Sequence, residues 1–184
     1  MKETWQIVLA GEGGQGLIVA GIILAEAASI FEGKFAIQTQ SYGIATRGGS
    51  SSAEVVISEK EIIYESVEEP DLVLALTTDA YEQYAGALDK NAVLIYDAGL
   101  VDTTKIEKVT AKTYGIPFTD LARELGKVTV ANIVSLGTIA RLSDAVKIDS
   151  MEKAVLKRFG GSAAELNKKA FRLGIEFAEN DSMQ

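Results

Sequence analysis

The stretch Gly11-Glu12-Gly13-Gly14-Gln15-Gly16 constrains this chain more than any other. The apolar run before it, Trp5 to Ala10, reads as a short buried strand. From Leu17 to Phe31 nearly every residue is apolar or small, which reads as a helix. In a strand, glycine loop and helix start, free backbone N–H groups and the helix dipole converge on an anion. The spacing also satisfies the G-x-G-x-x-G dinucleotide fingerprint, whose plain alternative is a tight turn that packs helix against strand. That fingerprint needs an acidic residue about 20 positions further on to hold a ribose hydroxyl. Here the second strand, Phe35 to Gln40, ends in amides and hydroxyls; Glu32 precedes it and Glu54 lies well past it. The missing carboxylate argues against NAD, NADP or flavin binding.

The residue types that are missing exclude more chemistry. The chain has no Cys, so it can form no disulfide, thiolate zinc site or thiolate-held iron–sulfur cluster. It has no His, which removes the commonest general acid–base and any Ser-His-Asp triad. No Asp/Glu grouping has the spacing of an EF-hand or a phosphate-bound metal site. Net charge is −8 and no basic run exceeds two residues, so nucleic acid and anionic membranes are unexpected partners. The uncharged interval between Glu12 and Glu26 is 13 residues, too short for a membrane span. No signal or transit segment is recognisable, and a cytoplasmic protein is expected.

At 184 residues, 47% of them hydrophobic, the chain suits one domain spanning 1–184. Further strands are expected at Ala53–Ser58, Asp71–Leu76 and Ala92–Tyr96, with Ile62-Ile63-Tyr64 as a hairpin partner of the first across a Glu59-Lys60 turn. A helix is expected from Tyr81 to Leu88, and Pro117 and Thr119 open another that runs to Leu125. Asn132 is read as the N-cap of a helix over Ile133–Leu142, and Ser150 as that of Met151–Phe159. Gly160-Gly161 ends that helix, and Ser162–Phe177 forms a last amphipathic one. Strands alternating with helices predict a Rossmann-like α/β domain: a mostly parallel sheet flanked by helices, with an edge hairpin. The first helix, apolar or small nearly all round, must be buried on more than one face. Two arrangements satisfy that: a central helix under the C-terminal helices, or a helix face or glycine loop that packs against a partner subunit.

Two motifs together carry a resemblance. The loop Gly11–Gly16 is followed by Tyr42-Gly43-x-x-x-Arg47-Gly48-Gly49, then Asp71–Leu76, Ala131–Gly137, and Asn167-Lys168-Lys169-Ala170-Phe171-x-x-Gly174. This series is similar to the gamma subunit of the 2-oxoacid:ferredoxin oxidoreductases, which act on pyruvate, 2-oxoisovalerate or 2-oxoglutarate. The resemblance implies a non-cofactor subunit of a multisubunit enzyme that oxidatively decarboxylates a 2-oxoacid to an acyl-CoA and reduces ferredoxin. It implies alpha, beta and delta-type partners that carry the thiamine diphosphate and iron–sulfur clusters, and 2-oxoglutarate as the substrate. The chain has neither a Gly-Asp-Gly thiamine-diphosphate motif nor a cysteine, so the isolated subunit is expected to be inactive. Where the family commonly has an acidic pair before the arginine, this chain has Ile44-Ala45-Thr46, so no carboxylate role carries over.

The candidate contact residues are Gly11, Gly13, Gly14, Gln15, Gly16, Tyr42, Arg47, Gly48, Gly49 and Asn132, with no catalytic residue and no metal ligand. The glycine loop offers N–H donors to a phosphate or a partner carboxylate, and Gln15 adds an amide. Arg47, flanked by glycines, suits a bidentate contact with CoA phosphate, a substrate carboxylate or a partner Asp or Glu. Tyr42 fits either the core or a partner contact. Two other functions stay open on the residues alone: a free-standing nucleotide-binding regulatory module, and a purely structural scaffold subunit.

Overall fold

The alternation along the first strand decides how the sheet is covered. Ile7 and Leu9 point to one face, Val8 and Ala10 to the other, and none is more than 4% exposed. A strand apolar on both sides must lie in the middle of a sheet clothed on both sides. The computed structural model describes residues 2–42, 49–104 and 109–181 and shows that arrangement. In chain order the elements are β1 (Thr4–Glu12), α1 (Leu17–Glu32), β2 (Phe35–Tyr42), β3 (Ser50–Ser58), β4 (Leu72–Ala75), α2 (Thr78–Ala85), β5 (Val93–Asp97), β6 (Lys112–Ile116), α3 (Phe118–Glu124), α4 (Ala131–Leu142), α5 (Ile148–Arg158) and α6 (Ala164–Asp181). The sheet runs β2-β3-β1-β4-β5-β6. β1, β4, β5 and β6 are mutually parallel, and β3 lies antiparallel between β1 and β2.

The edge hairpin exists, but with different strands from those expected. β3 pairs with β2 on one side and β1 on the other, so neither edge is free for Ile62-Ile63-Tyr64. That segment is instead a loop against the sheet. The Gln6 carboxamide accepts from the Glu68 N–H at 2.7 Å, and the Glu54 carboxylate accepts from the Val67 N–H at 3.3 Å. β6 was not apparent from the sequence. Its Lys112 and Thr113 are exposed at the sheet edge, so it lacks the apolar run that marks β4.

α1, α3, α4, α5 and α6 all pack on the face carrying Ile7, Leu9, Val55 and Ile57. α1 lies between the sheet and α5, which explains its apolar girth: of the two arrangements open from sequence, the helix tucked under the C-terminal helices is the one observed. α4 and α6 cross with almost no side-chain separation. A Cβ on Gly137 would lie 2.0 Å from the Phe171 carbonyl oxygen, and one on Gly174 would lie 1.9 Å from that of Val134. Thr138 Oγ1 donates to the Gly174 carbonyl at 2.9 Å across the same crossing.

Two expected caps are corrected. α5 starts at Ile148 with Lys147 as its N-cap, which places Ser150 inside the first turn. The stabilising oxygen comes from the end of α1, where Glu32 Oε1 accepts from the Lys147 N–H at 2.6 Å. α4 starts at Ala131 with Val130 as its N-cap, so Asn132 is interior as well. Its side chain reaches out of the helix to another element.

Candidate functional site

The connection from β1 leaves towards β2 on one side, and the chain later returns to place β4 on the other. The carboxyl ends of β1 and β4 therefore flank the point where strand order reverses, the usual location of a site in an open α/β sheet. The glycine loop stands there. Gly14 and Gly16 have φ of 95° and 77°, a region that favours glycine. Gly11 is buried, and a Cβ on it would sit 2.2 Å from Gln15 Oε1.

The loop is braced from within. Gln15 Oε1 accepts from the Glu12 N–H at 2.8 Å, and Gln15 Nε2 donates to the Leu76 carbonyl at 3.2 Å. The Gln15 N–H donates to the Glu12 carbonyl at 3.3 Å. Gln15 thus fastens the loop to the end of β4. Asn132 braces the other end: its Nδ2 donates to the Gly16 carbonyl at 3.1 Å, while its buried Oδ1 has no hydrogen-bond partner among the described residues. A side chain on Gly16 would collide with that amide at 2.5 Å.

The two sequence motifs, far apart in the chain, meet here. The Gly13 N–H donates to the Gly49 carbonyl at 3.3 Å, and the ladders pair Gly11 with Ser51, Glu12 with Ser50, and Tyr42 with Ser51. Gly43, Arg47 and Gly48 lie outside the described residues. A cleft of about 160 Å³ opens beside the junction, with Ser50, Ser51 and Ser52 on one wall and Thr77, Asp79 and Tyr84 on the other. Burial first, and Glu54 nearby second, push the Tyr84 hydroxyl pKa above its usual range. Sequence reasoning missed this wall. Its signal was the polar run Thr77-Thr78-Asp79 directly after the apolar β4, with Thr77 Oγ1 accepting from the Ala80 N–H at 3.3 Å as the N-cap of α2.

This geometry also bears on the dinucleotide fingerprint. In that fold the acidic strand lies next to β1. Here β3 intervenes, which moves the end of β2 two strand spacings, about 10 Å, from the glycine loop. The described walls carry carboxylates, Glu12 and Asp79, and no cation. Among the described residues no three Asp or Glu side chains converge as a metal site requires.

The fold and related sequences occur in other proteins. The family model described as pyruvate ferredoxin/flavodoxin oxidoreductase matches residues 6–177. The 2-oxoglutarate synthase subunit KorC of Methanocaldococcus jannaschii is 44% identical over 180 residues, covering 97% of this chain and 96% of that one. The crystal structure of the keto/oxoacid ferredoxin oxidoreductase gamma subunit from Geobacter sulfurreducens superposes with a TM-score of 0.84 at 42% identity, covering 96% of this chain and 99% of that one. The fold recurs within a longer chain, the 2-oxoglutarate:ferredoxin oxidoreductase of Magnetococcus marinus, solved with 2-oxoglutarate, coenzyme A and succinyl-CoA. There the TM-score is 0.86 at 24% identity, and the match covers 98% of this chain and 32% of that one. This chain belongs to the pyruvate ferredoxin/flavodoxin oxidoreductase family, and over nearly its whole length it corresponds to the gamma-type subunits of that family.

Proposed function

We propose that this chain is the non-cofactor gamma subunit of a cytoplasmic 2-oxoglutarate:ferredoxin oxidoreductase, where it organises assembly and contributes a contact to CoA. The carrying observation is the closure of the two glycine-rich motifs on each other at the strand ends, in a chain that has neither His nor Cys. Such a junction can hold a loop in place and present it to a ligand or a partner. It has no histidine, the commonest proton-transfer group, and no thiolate for cluster ligation. The chemistry of decarboxylation and electron transfer therefore resides on alpha, beta and delta-type chains, which carry thiamine diphosphate and the clusters. The M. jannaschii relative supports 2-oxoglutarate as the 2-oxoacid.

Within that reading, Gly11, Gly13, Gly14, Gln15, Gly16, Tyr42, Gly49 and Asn132 build the junction, and the phosphate contact is assigned to Arg47, which with Gly48 lies outside the described residues. The carboxylates of Glu12 and Asp79 repel a phosphate from the described walls, so a CoA phosphate needs that arginine. No helix among the described residues is long and apolar enough to cross a membrane.

The test is Arg47→Ala in the co-expressed complex. Losing a charge-assisted hydrogen bond costs about 1.5–3 kcal/mol, or roughly a 10- to 100-fold rise in KM for CoA. Arg47→Lys should restore only part of it, because an ammonium cannot make the planar two-point contact. Unchanged CoA kinetics in Arg47→Ala would remove the CoA contact. Failure of the unaltered chain to co-purify with cofactor-bearing chains would remove the subunit reading itself.

A further inference from the structure

The chain's negative charge is concentrated in one part of it. Residues 49–104 contain 12 Asp and Glu against two Lys, a net −10, whereas residues 109–181 contain nine acids against 11 bases, a net +2. The fold separates these segments. The basic one forms α3 to α6 on one face of the sheet, and the acidic one supplies α2 and the 59–71 loop on the other.

That second face is incompletely covered. α2 packs over β1, β4 and β5, but among the described residues no helix lies over β2 and β3 on this side. The register places Phe35, Ile37 and Val56 on this side; Val56 is buried and Ile37 half-buried, while Phe35 at the edge is 50% exposed. The neighbouring loop holds Ile63 and Tyr64 outwards at 83% and 79% exposure. Glu54, Glu61, Glu68, Glu69 and Asp89 line two adjoining grooves around this apolar area, and Glu65 is exposed on the loop itself; none of the described residues lining the grooves is Lys or Arg, although Lys60 and Lys90 are sequence neighbours of Glu61 and Asp89. Gln6 and Glu54 hold the later part of the loop by accepting from the Glu68 and Val67 N–H groups.

From this charge pattern we infer that the β2–β3 side of the sheet is a docking surface for a partner chain with an apolar centre and a Lys/Arg-rich rim. Exposed large apolar residues ringed by polar ones mark interaction surfaces. A rim of one sign selects a partner of the other and repels like-charged surfaces. A second copy of this chain is disfavoured: its matching face is equally acidic, and its helical side is close to neutral. A cofactor-bearing subunit is the natural occupant. In the M. marinus protein the same fold makes up 32% of a longer polypeptide, so other parts of that chain are available to pack against it. The inference rests on the subunit reading and extends it to a particular face.

The experiment is co-expression of the chain with its complex, followed by affinity capture at increasing salt. The triple variant Glu61→Lys, Glu65→Lys, Glu68→Lys and the double variant Ile63→Ser, Tyr64→Ser are each compared with Lys153→Glu, Lys169→Glu on the helical face. The two sheet-face variants should lower partner recovery at least 10-fold, and the charge variant should lose its salt dependence. The helical-face variant should assemble like the unaltered chain. Normal assembly of both sheet-face variants, or an equal loss from the helical-face variant, overturns the docking surface while leaving the subunit reading intact. Self-association of the isolated chain that the sheet-face variants abolish would assign the face to a second copy instead. An unaltered chain that captures no cofactor-bearing chain overturns the subunit reading and the docking with it.

Discussion

On the helical side of the sheet, five helices bury Ile7, Leu9, Val55 and Ile57 beneath a core that includes Phe118, Phe171 and Met151. On the other side, the eight-residue α2 covers Val8, Ala10 and Val73, and the 59–71 loop covers only part of what remains. The two sides of a single sheet are therefore built to different ends. The helical side is closed by contacts so tight that glycine is required where α4 crosses α6. On the other side, Gln6 and Glu54 accept from the Glu68 and Val67 N–H groups and so tie the end of a loop to the sheet without covering it. Stability should reside on the first side and recognition on the second, so a substitution should alter one property or the other according to its side.

The largest effect on stability is expected at the helix crossing. In Gly137→Ala the new methyl group would meet the Phe171 carbonyl at 2.0 Å, a backbone atom that cannot rotate away. α4 and α6 must then separate, and overpacking of this kind costs about 1–3 kcal/mol or more. A loss of about 3 kcal/mol in urea denaturation is expected, with Gly174→Ala behaving alike. A loss under about 0.5 kcal/mol would mean that the crossing is looser than the structure shows, and would break the contrast between the sides.

A smaller effect with a pH signature is expected at Glu32, which ties the end of α1 to the start of α5. Its side chain is 6% exposed and lies 3.1 Å from Lys34 Nζ. Burial pushes its pKa up, but hydrogen bonds from the Lys147 N–H, Lys34 and Ser150 outweigh it and leave the carboxyl below its ordinary value of 4.5. The folded state thus binds this proton more weakly than the unfolded state does. Its stabilisation is complete above the unfolded pKa and is lost as pH falls through the lowered folded value. Glu32→Gln should therefore cost about 1–2 kcal/mol at pH 7, and the gap from the unaltered chain should close as pH falls through the lowered folded value. Thermal melts across pH 3–7 measure it; a gap that persists at pH 3 would show packing rather than charge.

How far these features could be read from the sequence depends on how local their causes are. The βα opening at Trp5–Phe31 and the buried strands β4 and β5 were legible because apolar runs and glycines act within a few residues. Two caps were misread because the sequence shows that Ser150 and Asn132 can cap a helix, but not that Glu32, 115 residues from Lys147, takes the role at α5. The Ile62–Tyr64 segment has the composition of a strand. It is none because β3 had already found both of its partners. At the candidate site, the glycine loop and the Tyr42–Gly49 segment were both visible as motifs. Their meeting was not, since it depends on β3 slotting between β1 and β2. The acidic character of residues 49–104 was legible by counting, but that Glu54, Glu61, Glu68, Glu69 and Asp89 gather along adjoining grooves emerges only from the fold.

The smallest effect on stability is the one that sharpens the comparison most. Ile63→Ser and Tyr64→Ser remove two large apolar side chains, and on the helical side a single such truncation would cost about 2–5 kcal/mol. At 83% and 79% exposure neither residue transfers much apolar area from water on folding, so little burial energy is lost with it. The loop keeps its anchors to Gln6 and Glu54, which neither substitution touches. The double variant should therefore unfold within about 0.5 kcal/mol of the unaltered chain, and the isolated variant should be the more soluble of the two. Urea denaturation of the isolated chains, with a light-scattering titration of solubility, makes the measurement. A loss above about 1.5 kcal/mol would mean that these side chains close the fold in solution, and the difference between the two sides would then be one of degree. An unchanged midpoint leaves their apolar surface without an intramolecular role, as expected of side chains kept outward for another chain to cover.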